Sequence, residues 1–179
     1  MKHSGLQITT HKNGRITLSD SDNNLLTDIL VCESRCIINI YDDAKSHTKE
    51  TVLDCRTEEE ARNCGEAFAR FILNGDPDKL NWYIGMDFED VFSFFSAPKL
   101  QFLDYEENLT DVHAIADSIN ARFPDDSDLL IVIESASLET SILVCDRLKF
   151  SRWKQVSLDP AQTATVRVCV WYHPTAIDS

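Results

Sequence analysis

The sequence predicts an α+β fold, with residues 1–179 forming a single domain in which about four helices pack on one mixed, mostly antiparallel sheet. Three observations carry this expectation. Short apolar segments of strand length recur along the chain, and the segments between them repeat apolar residues at helical spacing. No repeat, low-complexity tract or linker divides the 179 residues, and 43% apolar with 26% charged content is ordinary for a folded globular chain. A subdivision near residues 75–81 is the alternative.

The first element expected is a short strand, Arg15 to Leu18, after the turn pair Asn13-Gly14. A polar stretch from Ser19 to Asn24 follows. Arg35 to Tyr41 carries few charges on either face and reads as a central strand. The segment Asp42 to Lys49 returns the chain into Glu50–Asp54, completing a hairpin. Thr57-Glu58-Glu59-Glu60 has the form of a capping box, with the Thr57 hydroxyl taking the Glu60 amide and the Glu60 side chain reaching back. Behind it Ala61, Cys64, Phe68, Phe71 and Ile72 mark a helix that Asn74-Gly75 ends.

A loop from Asp76 is expected to carry Trp82 and Tyr83. Asp87 then caps a short helix with Phe88, Val91, Phe92 and Phe95 on one stripe, which leaves Phe94 off the stripe and exposed. Leu100, Phe102 and Tyr105 belong to a strand. Leu109, Val112, Ile115, Ala116, Ile119 and Phe123 mark the next helix, closed by Pro124. Leu129 to Ile133 is a buried strand, and Ser137 caps a helix through Leu138, Ile142, Cys145 and Leu148. Trp153–Leu158 and Thr165–Tyr172 read as a closing hairpin, with Val166, Val168, Val170 and Tyr172 on one face.

Charge is distributed unevenly. Twenty-eight of the thirty acidic residues lie between Asp20 and Asp146, where only nine Lys and Arg accompany them. That span carries −19, while each end carries +3. A single-sign field of this kind selects a cationic partner and argues against direct nucleic-acid binding. The apolar runs are too short to span a membrane as helices, and no apolar stretch follows the first residues, so no signal peptide and a cytoplasmic location are expected.

In a reducing compartment the six cysteines are expected as free thiols. Cys64, Cys145 and Cys169 fall on core faces. Cys32 and Cys36 have a spacing used by zinc sites, and Cys55 and Cys64 complete a set of four, yet no second short-spaced pair exists; core packing is the stronger expectation. Asp125-Asp126-Ser127-Asp128 and Asp42-Asp43 are oxygen-rich but lack the spaced ligands of a calcium loop. No metal or cofactor is therefore expected.

Catalytic signatures are missing. Five glycines form no phosphate-cradling loop, and there is no G-x-S-x-G or H-E-x-x-H. The five histidines are scattered, and His113 lies on the solvated side of its helix. The expectation is a non-enzyme, with an enzyme whose site assembles only in three dimensions as an alternative. From Asp76 to Glu134 fourteen acids accompany three cations, together with Trp82, Tyr83, Phe94 and Tyr105. Carboxylates around aromatic anchors suit a protein-binding surface. The candidate contacts are Trp82, Asp87, Glu89, Asp90, Asp104, Tyr105, Glu106 and Glu107.

Two resemblances accompany this reading. Gly85-Met86-Asp87-Phe88-Glu89-Asp90-Val91 resembles the Asp-Phe-x-Asp-Val stretch after the central helix of the FtsZ/tubulin family, and the element order over residues 57–172 is similar to that family's C-terminal domain. In that family the acids matching Asp87 and Asp90 assist GTP hydrolysis in a neighbouring subunit. Here the glycine-rich nucleotide loop is absent and Ser135-Ala136 stands where a glycine pair is expected, so the resemblance implies a fold and a regulator of filament assembly, without catalysis. In type, a small acidic α/β chain without catalytic motifs resembles the immunity proteins that neutralise bacterial toxins. That resemblance implies an inhibitor of a basic toxin, with a nuclease as the obvious case.

Overall fold

Gly14, with φ of +78°, makes the turn expected of Asn13-Gly14; its amide donates to the His11 carbonyl (3.1 Å). This turn joins β1 (Gln7–Thr10) to β2 (Ile16–Ser19) in an antiparallel hairpin. The Asp20 carboxylate then accepts the amides of Asp22 (2.9 Å) and Asn24 (2.8 Å), folding the polar stretch into a tight turn. It leads to β3 (Leu25–Cys32), an element the apolar pattern does not announce. With β4 (Arg35–Tyr41) and β5 (Thr48–Asp54) these strands form a five-stranded meander in chain order. As expected, β4 is interior, lying between β3 and β5. The computed structural model describes residues 7–41, 48–74, 82–84, 93–95, 100–123, 128–149, 154–158 and 164–174.

Helix α1 (Glu58–Asn74) starts where the capping signal places it. The Thr57 hydroxyl accepts the Glu60 amide (3.1 Å), but the return half of the box is shifted by one residue. The Glu60 carboxylate takes the Arg56 amide (2.7 Å) and the Arg56 guanidinium (3.0 Å). An arginine directly before the cap offers a charged second donor, and this draws the carboxylate one residue further back.

Ala61, Cys64, Gly65, Ala67, Phe68, Ala69 and Phe71 are all buried, a wider apolar face than one sheet would cover. The reason is that α1 lies between two sheets. On one side Gly65 meets Ile29, Val31 and Cys36 of the meander. On the other, Phe71 packs 6.2 Å from Trp171 and Phe68 packs 4.6 Å from Phe95 (ring centroids). The single sheet expected is thus replaced by two.

The second sheet has the order β6-β9-β8-β10-β7, formed by β6 (Trp82–Ile84), β7 (Gln101–Asn108), β8 (Leu129–Ser135), β9 (Lys154–Leu158) and β10 (Thr165–Tyr172). It is antiparallel except for the β8–β9 pair, which α3 (Leu138–Arg147) connects in parallel. The closing hairpin expected of β9 and β10 does not form. β10 pairs instead with β7 and β8, and β9 lies on the far side of β8. All seven residues of β8 are buried, and such a strand takes a neighbour on each side. Trp82 and Tyr83, expected in a loop, lie in strand β6.

Helix α2 (Val112–Arg122), entered through a 3-10 turn at Leu109–Asp111, packs with α3 on the outer face of this sheet. Ile115, Ile119, Ile131, Ile133, Val144, Val168 and Val170 form the core there. Three α-helices, rather than about four, occur among the described residues. The helix expected to begin at Asp87 lies outside them except for 93–95. Phe94, expected to be exposed, is 2% exposed and packs on Phe95 and His173. The α3 stripe is also shifted. Ser141, Val144 and Cys145 face inward, whereas Ile142 is exposed, as is Leu109 before α2. The resulting layers are sheet, α1, sheet, then α2 with α3. One continuous core crosses α1 and includes Ile29, Ile38, Phe68, Phe71, Leu130 and Trp171.

Candidate partner-binding face

β7 carries four of the expected contact residues. It ends its sheet in the strand order, and its side chains alternate. Phe102, Asp104 and Glu106 share the face toward α1, while Leu103, Tyr105 and Glu107 share the face toward α2; Phe102 belongs to the core around Trp171, and Leu103 and Tyr105 pack against the core of α2 and α3.

The four residues differ in what they offer a partner. Asp104 is held by the Arg167 guanidinium through two hydrogen bonds (2.8 and 2.5 Å), with only 20% of its side chain exposed. The pairing raises Arg167 further above its ordinary value, the hydrogen bonds to Asp104 being the largest cause. Tyr105 is half-buried, and its phenol is pushed up by burial. Glu106 and Glu107 are exposed, and Glu106 accepts the Thr165 hydroxyl (2.9 Å). Trp82 lies in β6, the opposite edge of the sheet, separated from β7 by three strands or roughly 19 Å at about 4.8 Å per strand. The structure therefore groups Asp104–Glu107 but does not bring Trp82 to them. Asp87, Glu89 and Asp90 lie outside the described residues, as do most of the oxygen-rich positions 125–128 and all of Asp42-Asp43.

The sequence reading missed an ionic array between α1 and the second sheet. Glu134, 2% exposed at the end of β8, accepts two hydrogen bonds from Arg70 of α1 (2.9 and 3.4 Å). Arg167 faces Glu134 across the β8–β10 ladder and Glu106 across β10–β7. Cys169, fully buried beside Asp104 (3.9 Å), has its thiol pushed well up by burial. The Arg70–Glu134 fork clamps α1 to the sheet, the Arg167–Asp104 fork ties β10 to β7 within it, and opening a buried pair on one side costs about 3–5 kcal/mol. A carboxylate ending an otherwise apolar strand was the available signal, because a buried charge requires a partner.

At the α3 N-terminus the Ser137 hydroxyl accepts the Thr140 amide (3.1 Å). Ser135, standing where the FtsZ-like pattern has glycine, donates its hydroxyl to the Ser137 carbonyl (2.6 Å) and lies 2.8 Å from the Ser141 hydroxyl. The helix start is thus satisfied from within. Lys154, 7% exposed, donates to the carbonyls of Cys145 (3.3 Å) and Leu148 (3.2 Å) and so complements the other end of α3.

Of the four cysteines considered for zinc, Cys36, Cys55 and Cys64 lie between the first sheet and α1, while Cys32 is exposed. Cys36 and Cys32 are separated by β-strand alternation, with Val31 and Cys36 facing α1. Among the described residues no group of three His, Cys, Asp or Glu side chains is arranged to hold a metal ion.

Internal pairing also sharpens the surface charge. Arg15, Arg56, Arg62, Arg70, Arg147 and Arg167 form ion pairs with Asp28, Glu60, Glu58, Glu134, Asp117 and Asp104. Among the described residues these six arginines are matched by six acids, and because pairing leaves the net charge of −13 unchanged, the excess of acids falls on the other side chains. Exposed Glu33, Asp54, Glu59, Glu107, Asp111, Glu139 and Asp146 are among them. No helix among the described residues is long and apolar enough to cross a membrane. The chain matches no family model, no curated protein and no solved structure.

Proposed function

We propose that this chain is a non-catalytic binding protein that neutralises a basic protein partner, most simply as an immunity protein occupying the phosphate-binding cleft of a toxin in the cytoplasm. One observation carries the reading. Acids outnumber cations by thirteen over the chain, and two of the arginines, Arg70 and Arg167, are held on carboxylates within the fold, so the field presented to solvent is negative. The exposed acids Glu106 and Glu107, on opposite faces of edge strand β7, and neighbouring Asp111 line the sheet edge on which a cationic partner is expected to dock. β7 also ends its sheet, and an acidic edge strand disfavours pairing with its own copies while accepting a basic segment.

The test is co-purification of the full chain with the products of genes adjacent to its own, followed by affinity measurements at low and high salt. Binding that weakens steeply with salt supports the reading. No binding, or an affinity indifferent to salt, overturns it. Reversing both charges, Glu106→Lys with Glu107→Lys, is expected to slow association by about tenfold at low salt. The alternative of a filament-assembly regulator rests on residues 85–91, all outside the described residues, and on the element order over residues 57–172.

A further inference from the structure

The pairing of β7 with β10 fixes which backbone groups of β7 face outward. The strands are antiparallel with Asn108 opposite Thr165, and in the same register Leu109 lies opposite Ala164 and donates its amide to the Ala164 carbonyl (3.2 Å). Antiparallel partners alternate between pairs that exchange both backbone bonds and pairs that exchange none. Counting back from Leu109, the residues bonded to β10 are Glu107, Tyr105 and Leu103. The amides and carbonyls of Asn108, Glu106 and Asp104 therefore point to the opposite side, where the strand order gives β7 no neighbour. Leu53 of β5 bridges this side at Leu100, just before β7 begins. Glu106 lies about 20 Å further along the extended chain, and Glu106, Glu107 and Asn108 are exposed.

We propose that β7 is a docking edge for strand addition, taking an extended basic segment of a protein partner whose backbone bonds to Asp104, Glu106 and Asn108. This rests on the reading of the partner as basic, and it adds the manner of binding and the pattern the segment carries.

Side chains of an added strand alternate between the two faces of the sheet as those of β7 do. The residue beside Glu106 on one face and the residue beside Glu107 on the other each meet an exposed carboxylate, so two consecutive positions call for Lys or Arg. The residue beside Tyr105 meets a half-buried ring, which suits an apolar side chain. Beside Asp104 the carboxylate is already held by Arg167 (2.8 and 2.5 Å), and a further cation would face the guanidinium, so an uncharged residue belongs there. From Asp104 to Glu107 the fitting segment thus reads uncharged, apolar, basic, basic. A second copy of this chain does not fit, because its own β7 would set acids beside acids.

The test uses the full chain and the end-blocked peptide Thr-Val-Lys-Lys-Val-Thr, which presents the pattern in either strand direction. Its control is the same peptide built with alternate D-residues, equal in charge but unable to lie as a strand. In the free chain, amide hydrogen exchange read by NMR is expected to be slow at Leu103, Tyr105 and Glu107 and fast at Glu106 and Asn108. At saturation the peptide is expected to slow Glu106 and Asn108 by about tenfold, and the control to leave them unchanged. Glu106→Pro removes an outward amide without touching the bonds to β10, whereas Glu106→Gln removes the same charge and keeps the amide. The proline variant is expected to bind the peptide about tenfold more weakly than the glutamine variant. Equal binding of the two peptides, or by the two variants, would overturn strand addition while leaving a basic partner that docks through charge alone. Unchanged exchange at Glu106 and Asn108, or self-association of the free chain through this edge, would overturn it too. The exchange map of the unaltered chain decides the matter even where the proline variant fails to fold. An affinity for the co-purified partner that is indifferent to salt removes instead the reading of a basic partner beneath it.

Discussion

At the residue scale, single side chains decide how closely the layers approach. Gly65 is the clearest instance: a Cβ there would sit 2.9 Å from Ile29 Cγ2, 3.5 Å from Cys36 Sγ and 3.6 Å from Val31 Cγ2. Helix propensity alone predicts that Gly65→Ala stabilises α1 by about 1 kcal/mol. The contact argues for the opposite sign. Ile29 is fully buried and β-branched, so its methyl has nowhere to turn, and overpacking of this kind costs typically 1–3 kcal/mol. Gly65→Ala is therefore expected to lower stability by about 1 kcal/mol net in urea denaturation, and a rise would show that the sheet yields. In the sequence Gly65 is only a lone glycine inside a helical pattern, since spacing along one element carries no information about what faces it. The same limit hid the Arg70–Glu134 clamp, whose members are 64 positions apart, and the pairing of Asp104 with Arg167, 63 positions away.

At the element scale, local chemistry was legible where it is self-contained. The turn at Gly14, the α1 start at Thr57, the α3 start at Ser137 and the unbroken apolar run of β8 each depend on residues a few positions apart, and all appear where expected. β3 was not legible because it is buried at four consecutive positions, Leu26 to Ile29, with Asp28 among them. That breaks alternation, and the Asp28 charge is tolerated only because Arg15 grips it at 2.7 and 2.9 Å. The cap of α1 makes a pH-dependent contribution. Burial by itself would raise the Glu60 carboxyl, but the hydrogen bonds from the Arg56 side chain and amide outweigh it and hold it below 4.5. A pKa depressed by folding contributes stability above the unfolded value, and that contribution is lost as pH falls through the folded value. Glu60→Gln is thus expected to destabilise the protein at pH 7, with the difference from the unaltered chain shrinking from about pH 5 downward in parallel acid titrations of stability. Thr57→Ala removes an uncharged cap and is expected to cost about 1 kcal/mol with no such convergence.

At the scale of the whole molecule, the two-sheet arrangement follows from α1 having two apolar sides, a feature visible in the sequence only as Ala67 and Ala69 beside the Phe68–Phe71 stripe. Strand order was the least legible property, because β10 reaches its neighbours β7 and β8 across long stretches of chain and sequence proximity favours β9 instead. The charge balance supplies a test at the same scale. A net charge of −13 stresses the folded chain through self-repulsion, while the six arginine pairs pull the other way. Salt does not weaken these terms equally. The pairs of Glu134, Asp104 and Asp28 expose 2%, 20% and 8% of their carboxylate side chains, and contacts at 2.5–2.9 Å in such settings lie well inside the screening length of about 8–10 Å. Repulsion among the exposed acids acts over longer distances through solvent and is the part that ions remove. Adding sodium chloride up to about 0.3 M is therefore expected to raise the melting temperature by roughly 2–4 °C, the shift that about 1 kcal/mol produces in a chain of this size. A fall over the same range would mean that the ion pairs, and not the acidic excess, dominate the field of the folded protein, and it would remove the physical basis for an outward negative face that recruits a basic partner.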